Sequence, residues 1–218
     1  IYLVQGLFYS MHQLPNLDEG AYLFKGYQFV NGNYLPFQPY GFWTNKMYLA
    51  FMVWGWIQDL FSPGLIAPRL FTILFGILSV LGTWIVTRRL GGRWIAALAV
   101  LALALNPTLI GIYSLANSQV LVICMLTWIM VLTLGANRPG WQIILGAMLS
   151  AVLVFVRENM VFLVPLLVAY IFWQYGKKTG FLALGAAVLT LVIGHIIYWP
   201  EITSLWSRSL SPLRTLFN

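Results

Sequence analysis

The sequence has few charged residues and few residues that bind metals or form disulfides. Charged residues make up 8% of its 218 residues, and 61% are hydrophobic. A soluble domain could not bury this much apolar surface, so the composition excludes one and predicts a polytopic membrane protein. The single cysteine, Cys124, excludes a disulfide framework. The two histidines, His12 and His195, have no nearby ligand partners and indicate no metal site.

Motifs for several other functions are also missing. The sequence contains no glycine-rich phosphate loop, no nucleophile elbow and no repeat of fixed period. No acidic residue lies in the middle of an apolar run, where a proton-coupled transporter would need one. The net charge is +7, but the basic residues are scattered at segment ends, which fits membrane topology better than nucleic-acid binding.

The apolar runs predict about seven transmembrane helices. Residues 1–13 are typical of the outer end of a first span that is truncated at its N-terminus and has no signal-peptide pattern. Residues 47–61 form an apolar run that is shorter than the roughly twenty residues needed to span a membrane. Six later runs are clearer: 65–87, 94–105, 118–134, 141–156, 160–175 and 181–199.

An acidic pair, Asp18 and Glu19, opens the polar loop after the first run. Residues 18–30 predict an amphipathic juxtamembrane helix that ends at Asn31-Gly32-Asn33. In one interpretation the pair only marks a helix start, with Asn16 as the N-cap and Glu19 completing a capping box. In the other it is functional, because carboxylates near lipid are costly. The two side chains lie about 100° apart on a helix, so one can face a pocket while the other caps or orients.

The basic residues decide whether residues 47–61 cross the membrane. If they cross, the basic residues at 88–93 and at 177–178 lie on the same side as the Asp18 loop. If they form a second juxtamembrane helix, these clusters and Arg138 all face the cytoplasm, as the positive-inside rule favours. The second arrangement is therefore predicted. It places one polar set at the outer face: Asp18, Glu19, Lys46, Arg157 and Glu158.

This set suits one type of chemistry. A carboxylate can take a proton from an acceptor hydroxyl while cations stabilise a departing lipid phosphate. Arginine binds phosphate through two hydrogen bonds, and lysine acts as a point charge. One base suffices for direct displacement of a sugar from a phosphate, whereas a glycosidase normally needs a second carboxylate. The alternatives are that Lys46 only snorkels to the interface and that Arg157 only pairs with Glu158 or Asp18.

Several short motifs between residues 14 and 170 resemble one family in their order and spacing. They are Leu17-Asp18-Glu19-Gly20-Ala21-Tyr22, Asn45-Lys46-Met47-Tyr48-Leu49, Pro63-Gly64-Leu65-Ile66-Ala67-Pro68-Arg69-Leu70, Asn106-Pro107 with Tyr113-Ser114-Leu115-Ala116, and Val156-Arg157-Glu158-Asn159. The pattern resembles the polytopic GT-C glycosyltransferases that use polyprenyl-phosphate sugars. It is most similar to the protein O-mannosyltransferase, lipid A aminoarabinose transferase and RgtA/B/C/D-like group.

The resemblance implies a fold and a set of site residues. The fold is an all-α polytopic GT-C-like bundle, with two juxtamembrane helices in the first outer loop. The implied site faces the extracytoplasmic side, and the expected membrane is a bacterial inner or plasma membrane. A lipid-phosphate sugar is the implied co-substrate, and no divalent metal is indicated. The implied residues are Asp18 and Glu19 as the catalytic residues with Asp18 as the base, Lys46 and Arg157 as phosphate contacts, and Asn45, Glu158 and Tyr22 in support.

Two departures from the family pattern leave other functions open. The double proline usual after the Lys or His is replaced by Met47-Tyr48, and an acidic family position appears as Gln119. The alternatives are a catalytically degenerate subunit of a larger membrane complex and a lipid-binding or transport protein. The expected partners are membrane lipids, the sugar donor, an unknown acceptor and other membrane subunits, without nucleic acid.

The chain is expected to form a single membrane domain. Its predicted parts are the end of a first span (1–13), an outer loop (14–64), six spans (65–199) and an outer tail (200–218) that continues in a longer chain.

Overall fold

The computed structural model describes residues 1–38, 40 and 47–209, with side chains as far as Trp206. Within these ranges all regular structure is helical, which confirms the predicted all-α class. In chain order the helices are α1 (Tyr2–His12), α2 (Leu17–Val30), α3 (Leu49–Phe61), α4 (Ile66–Leu105), α5 (Pro107–Ile112), α6 (Ser118–Thr133), α7 (Gly140–Val156), a short 3-10 helix (Glu158–Phe162), α8 (Leu163–Ile197) and α9 (Ile202–Ser209).

Asparagine side chains cap three of these helices. Asn16, Asn106 and Asn117 each accept a hydrogen bond from the backbone N–H three residues later, at 2.7, 3.1 and 3.2 Å. Such caps satisfy donors that a helix start would otherwise leave unpaired. The cap at Asn16 confirms the predicted start of α2.

A glycine interrupts each of the two longest helices, α4 and α8. Gly92 has φ 81° and ψ −179°, and Gly176 has φ 81° and ψ 174°. Glycine adopts this positive φ without a steric penalty. In α8 the Phe172 and Phe181 rings lie 5.0 Å apart, although nine residues of continuous helix would separate them by about 13 Å. The chain therefore folds back at Gly176, between two apolar runs predicted as separate.

The same reversal occurs in α4. Ala104 is buried in one cluster with Tyr2, whose ring lies against Gly76. An uninterrupted helix would place Ala104 about 42 Å from Gly76. Among the described residues, the stretches Ile66–Leu105 and Glu158–Ile197 are long and apolar enough to cross a membrane, by length and composition. The number of spans stays a prediction.

The helices begin and end at two opposite ends of the bundle, and these two ends differ in charge. At one end, the hydroxyl of Tyr22 on α2 donates to Ser118 at the start of α6. At the other, Arg89 on α4 donates to the carbonyl of Leu134 after α6 at 2.6 Å, and Tyr175 on α8 donates to the carbonyl of Thr133 at 2.6 Å. We call the first the site end and the second, which carries the turns at 88–93, 134–139 and 175–178, the basic end. The predicted grouping of the basic turns is confirmed.

The helices α2 and α3 form a layer at the site end. They cross at Gly26 and Gly55, where a Cβ on Gly26 would lie 2.9 Å from the Gly55 nitrogen and closer still to the Phe51 carbonyl oxygen. The two backbones are therefore in direct contact, which only glycine permits here. Trp54 is fully buried beneath the crossing. The short apolar run that starts at residue 47 is thus a helix of 13 residues packed on α2.

Candidate functional site

The adjacent carboxylates Asp18 and Glu19 have different surroundings. Asp18 is half-buried and lines a polar cavity, whereas Glu19 is 0% exposed and lies inside the bundle. Consecutive residues of a helix point about 100° apart, so α2 directs them to different partners. The structure therefore places Asp18 at a cavity and Glu19 inside the bundle.

Glu19 forms a bidentate ion pair with Arg69 of α4. The guanidinium Nε donates to Oε1 at 2.9 Å, and Nη2 donates to Oε2 at 2.6 Å. Oε1 also accepts the Ala116 N–H at 3.0 Å. Buried charges are tolerated when they are paired and fully hydrogen-bonded, and this pair meets that condition. The capping-box interpretation of Glu19 is therefore wrong, because both its oxygens bind groups outside α2.

Arg69 extends this pair to a further segment. Its Nη1 donates to the carbonyls of Ser10 and Gln13, at 2.7 and 2.8 Å, near the end of α1. Side chain and backbone together link four parts of the chain: the end of α1, the first turn of α2, the start of α4 and the segment before α6. The first turn of α2 is thereby fixed, and with it the direction in which Asp18 points.

A polar cavity of about 110 Å³ lies between α2, the start of α6 and the segment after α7. It brings together the predicted residues Asp18, Tyr22, Arg157 and Glu158, which come from two segments about 135 residues apart in sequence. Seven of its eight lining residues are polar, which suits a hydroxylated or charged ligand. The complete lining is Asp18, Tyr22, Ser118, Gln119, Val156, Arg157, Glu158 and Asn159.

Tyr22 fixes one wall of this cavity. Its hydroxyl donates to Ser118 Oγ at 2.8 Å and so joins α2 to the start of α6. Burial raises the pKa of Tyr22 above its usual value, although the bond to Ser118 and the positive charge of Arg157 act in the opposite direction. The phenol therefore stays protonated near neutral pH and remains a donor.

Arg157 supplies the positive charge of the cavity. It has an extended backbone, φ −153° and ψ 118°, between α7 and the 3-10 helix. Among the described residues, the ion pair within 4.0 Å is that of Arg69 with Glu19. The alternative in which Arg157 only pairs with Asp18 or Glu158 is therefore not realised. A half-buried guanidinium beside a polar cavity, without a carboxylate on it, is suited to bind an anion such as phosphate.

A second cavity, of about 450 Å³, shares the wall formed by Asp18 and Gln119. Its lining contains no lysine or arginine among the described residues, and Asp18 is its one charged group. The first cavity thus contains a cation and the described lining of the second does not, while both reach the same carboxylate. The second is lined by Tyr9, Gln13, Asn16, Asp18, Pro107, Thr108, Gly111, Ile112, Leu115, Asn117 and Gln119.

The other candidate residues have different positions. Asn45 and Lys46 lie outside the described residues, so the second predicted phosphate contact stays a prediction. His195 lies in the bundle, with Nδ1 2.7 Å from the Leu191 carbonyl and Nε2 accepting from Trp206 at 2.9 Å. Both of its nitrogens are thus occupied, as predicted for a core histidine. No group of three or more His, Cys, Asp or Glu in the described ranges is arranged to hold a metal.

Sequence reasoning missed the contributions of Arg69, Ser118 and Asn159. Arg69 is noticeable in the sequence only as part of a family motif. A physical signal was present, because an arginine one turn into a long apolar helix is costly unless a carboxylate pairs with it. Ser118 and Asn159 carry no such signal, since small polar residues at helix ends are common.

Comparison with known proteins gave one finding. A family model described as dolichyl-phosphate-mannose-protein mannosyltransferase matches residues 47–199, well over half of the chain. The matched range contains Arg69, Gln119 and Arg157, and it begins after Asp18 and Glu19. No curated protein and no solved structure matches the chain.

Proposed function

Because the chain belongs to the dolichyl-phosphate-mannose-protein mannosyltransferase family, we propose that it transfers a sugar from a polyprenyl-phosphate donor to an acceptor hydroxyl. The family is one of membrane-associated glycosyltransferases, so membership supports transferase activity in general. The observation that carries the specific proposal is the single polar cavity that holds both Asp18 and Arg157.

In the proposed reaction Asp18 acts as the base. Its carboxylate takes the proton of the acceptor hydroxyl, and the hydroxyl oxygen attacks the anomeric carbon of the sugar. The bond from that carbon to the phosphate oxygen breaks, and its electron pair leaves with the lipid phosphate. General-base catalysis of this kind contributes about 10²–10⁴-fold to a rate. Glu19 cannot share the role, because Arg69 and the Ala116 N–H hold its carboxylate away from the cavity. We assign Glu19 to positioning.

Arg157 binds the phosphate in this proposal. Charge builds up on the phosphate oxygen as the sugar leaves, and a fixed guanidinium stabilises it. The family resemblance gives Lys46 as a second phosphate contact, with Asn45 beside it. Glu158, Gln119 and Asn159 line the same cavity and can hydrogen-bond to sugar hydroxyls.

The two cavities support separate places for the two substrates. The smaller one contains Arg157, whose guanidinium can bind the phosphate of the donor. The larger one has no cation in its described lining and suits an uncharged, hydroxyl-bearing acceptor. Asp18 lines both cavities. A base in this position can reach the acceptor hydroxyl in one cavity next to the donor sugar in the other. We place the site end at the extracytoplasmic face of a polytopic protein and the basic end at the cytoplasmic face, following the positive-inside rule.

Substitution of Asp18 tests this proposal. The purified protein is reconstituted with a panel of polyprenyl-phosphate hexoses and pentoses and a panel of hydroxyl-bearing acceptors, and acceptor-dependent release of polyprenyl phosphate is measured. Asp18→Asn should lower the rate at least about 100-fold, with donor binding unchanged. Asp59→Asn, at an exposed carboxylate on α3, is the matched control and should leave the rate unchanged.

Four outcomes would exclude parts of the proposal. Equal turnover by Asp18→Asn would remove Asp18 as the base. Donor binding without turnover by the unsubstituted protein would favour a lipid-binding protein, and absence of both would favour an accessory subunit. Arg157→Gln should weaken donor binding and Arg157→Lys should restore part of it; equal donor affinity in all three proteins would remove Arg157 from the phosphate site.

A further inference from the structure

The basic end has features that the proposed reaction does not use. Six of the twelve lysines and arginines lie in or beside its three turns. None of the five acidic residues does: Asp18, Glu19, Asp59, Glu158 and Glu201 all belong to segments of the site end. The six basic residues are Arg88, Arg89, Arg93, Arg138, Lys177 and Lys178.

The structure joins the three turns into one surface. Arg89, beside the first turn, donates to the Leu134 carbonyl, and Tyr175, beside the third, donates to the Gly135 carbonyl. The turn at 134–139 therefore bridges the reversals at Gly92 and Gly176. These two reversals have nearly the same glycine dihedral angles, and each carries basic residues directly beside the glycine.

The six cations of this surface fall into two groups. Arg89 and Arg138 are half-buried, and both donate to the Val131 carbonyl in the last turn of α6. They stabilise the end of a helix, whose carbonyls attract cations. The other four cations are exposed to solvent: Arg88, Arg93, Lys177 and Lys178.

Exposed tryptophans accompany these four cations. Trp94, Trp141 and Trp173 are 70%, 63% and 81% exposed, and each lies within a few residues of one of the three turns. The Arg93 guanidinium lies 5.3 Å from the centre of the Trp94 ring. Tryptophan is enriched at the headgroup level of membranes, because its ring is apolar and its N–H is polar.

We propose that the two helical hairpins that reverse at Gly92 and Gly176 form a binding surface for the headgroups of anionic phospholipids. Four exposed cations without an acidic residue in the surrounding turns complement a negatively charged headgroup, and the tryptophans place that surface at headgroup depth. Arginine binds a lipid phosphate through two hydrogen bonds, and lysine attracts it as a point charge. Each such charge strengthens binding to an anionic surface about fivefold. The surface is independent of the transferase reaction, which takes place at the opposite end.

Lipid competition tests this surface. The full chain in neutral detergent is mixed with equal amounts of phosphatidylglycerol and phosphatidylcholine, and bound lipids are counted by native mass spectrometry. The unsubstituted protein should prefer phosphatidylglycerol. The variant Arg88→Gln/Arg93→Gln/Lys177→Gln/Lys178→Gln should lose at least about tenfold of that preference. The charge-conserving variant Arg88→Lys/Arg93→Lys/Lys177→Arg/Lys178→Arg should keep it within about twofold.

Two double variants, Arg88→Gln/Arg93→Gln and Lys177→Gln/Lys178→Gln, neutralise one hairpin each. Each should lower the preference for phosphatidylglycerol by a similar factor. Equal binding of the two lipids by the unsubstituted protein would overturn the proposal, as would an unchanged preference in the fourfold neutral variant. An effect confined to one hairpin would overturn a shared surface. Transferase turnover in neutral detergent should be the same in all variants, so this test does not depend on the proposed reaction.

Discussion

Arg69 and Arg89 lie at opposite ends of the molecule, and the same type of side chain has different partners at each end. They stand twenty residues apart on the first segment of α4, which is about 30 Å along a helix. Each uses its Nη1 to bind two backbone carbonyls near the end of a neighbouring helix, α1 for Arg69 and α6 for Arg89. The other donors of Arg69 bind the Glu19 carboxylate, whereas no carboxylate among the described residues binds Arg89.

This difference separates a neutralised end from a charged one. At the site end the charge of Arg69 is cancelled by Glu19, so the pair can be fully buried and can hold several segments in place. At the basic end no carboxylate is near Arg89 in the described structure, and the positive charge remains available to the surroundings. The same guanidinium geometry thus gives rigidity at one end and an electrostatic field at the other.

The largest effect on stability should come from Arg69→Met. This substitution leaves the buried Glu19 carboxylate without its cation, which should lower the free energy of unfolding by about 3–5 kcal/mol. Unfolding in mixed micelles with increasing SDS measures the change. The double variant Arg69→Met/Glu19→Gln should lose less than the single variant, because no buried charge is left unpaired. Equal or greater loss in the double variant would contradict the pairing.

A smaller loss is expected from Arg89→Met at the basic end. Its two hydrogen bonds from a charged donor disappear, but no buried carboxylate is left behind, so about 1.5–3 kcal/mol should be lost. The same SDS titration compares the two arginines directly. If Arg89→Met costs as much as Arg69→Met, the contrast between the two ends is wrong.

Gly26→Ala tests the layer that supports the site end. The new Cβ would meet the backbone of α3 at Phe51 and Gly55, so α2 must shift, at a cost of about 1–3 kcal/mol. Gly20→Ala is the matched control on the same helix, because a Cβ there meets no atom within 4 Å. The control should be neutral or stabilising by up to about 1 kcal/mol. Similar thermal midpoints for the two variants would argue against the close crossing.

The smallest change is expected from Tyr22→Phe. It removes the hydrogen bond to Ser118 and should cost about 0.5–1.5 kcal/mol, since the ring keeps its packing against Phe51. Ser118→Ala should have a similar effect, and the double variant should cost little more than either one. Fully additive losses, measured by the same titration, would show that the two hydroxyls do not interact.

Much of the local structure could be predicted from the sequence. The start of α2 followed from Asn16, and the breaks at residues 106 and 176 followed from proline, glycine and basic residues between apolar runs. The placement of basic residues predicted that Asp18 and Arg157 lie at the same face, and the structure adds that both line one cavity. These features depend on local chemistry and on charge at helix ends, which a sequence displays directly.

The partner of Glu19 could not be predicted in the same way. Its pairing with Arg69 depends on how α2 and α4 are rotated about their own axes, and the apolar pattern of α4 is nearly uniform around the helix. The Gly26–Gly55 crossing could not be predicted for a related reason. Glycines are frequent in this chain, and only the packing of the helices shows which of them are in contact. Asn45 and Lys46 lie outside the described residues and stay predictions.

The link between Glu19 and Arg69 also has a consequence for the order of synthesis. Fifty residues separate them, and ninety-seven separate Glu19 from Ala116. At a synthesis rate of about 5–20 residues per second, Arg69 is made roughly 3–10 s after Glu19, and Ala116 after about twice that time. Because an unpaired carboxylate is costly in lipid, we expect the first turn of α2 to stay in water during this interval. The direction of Asp18 is thus set only after the ribosome has passed residue 116.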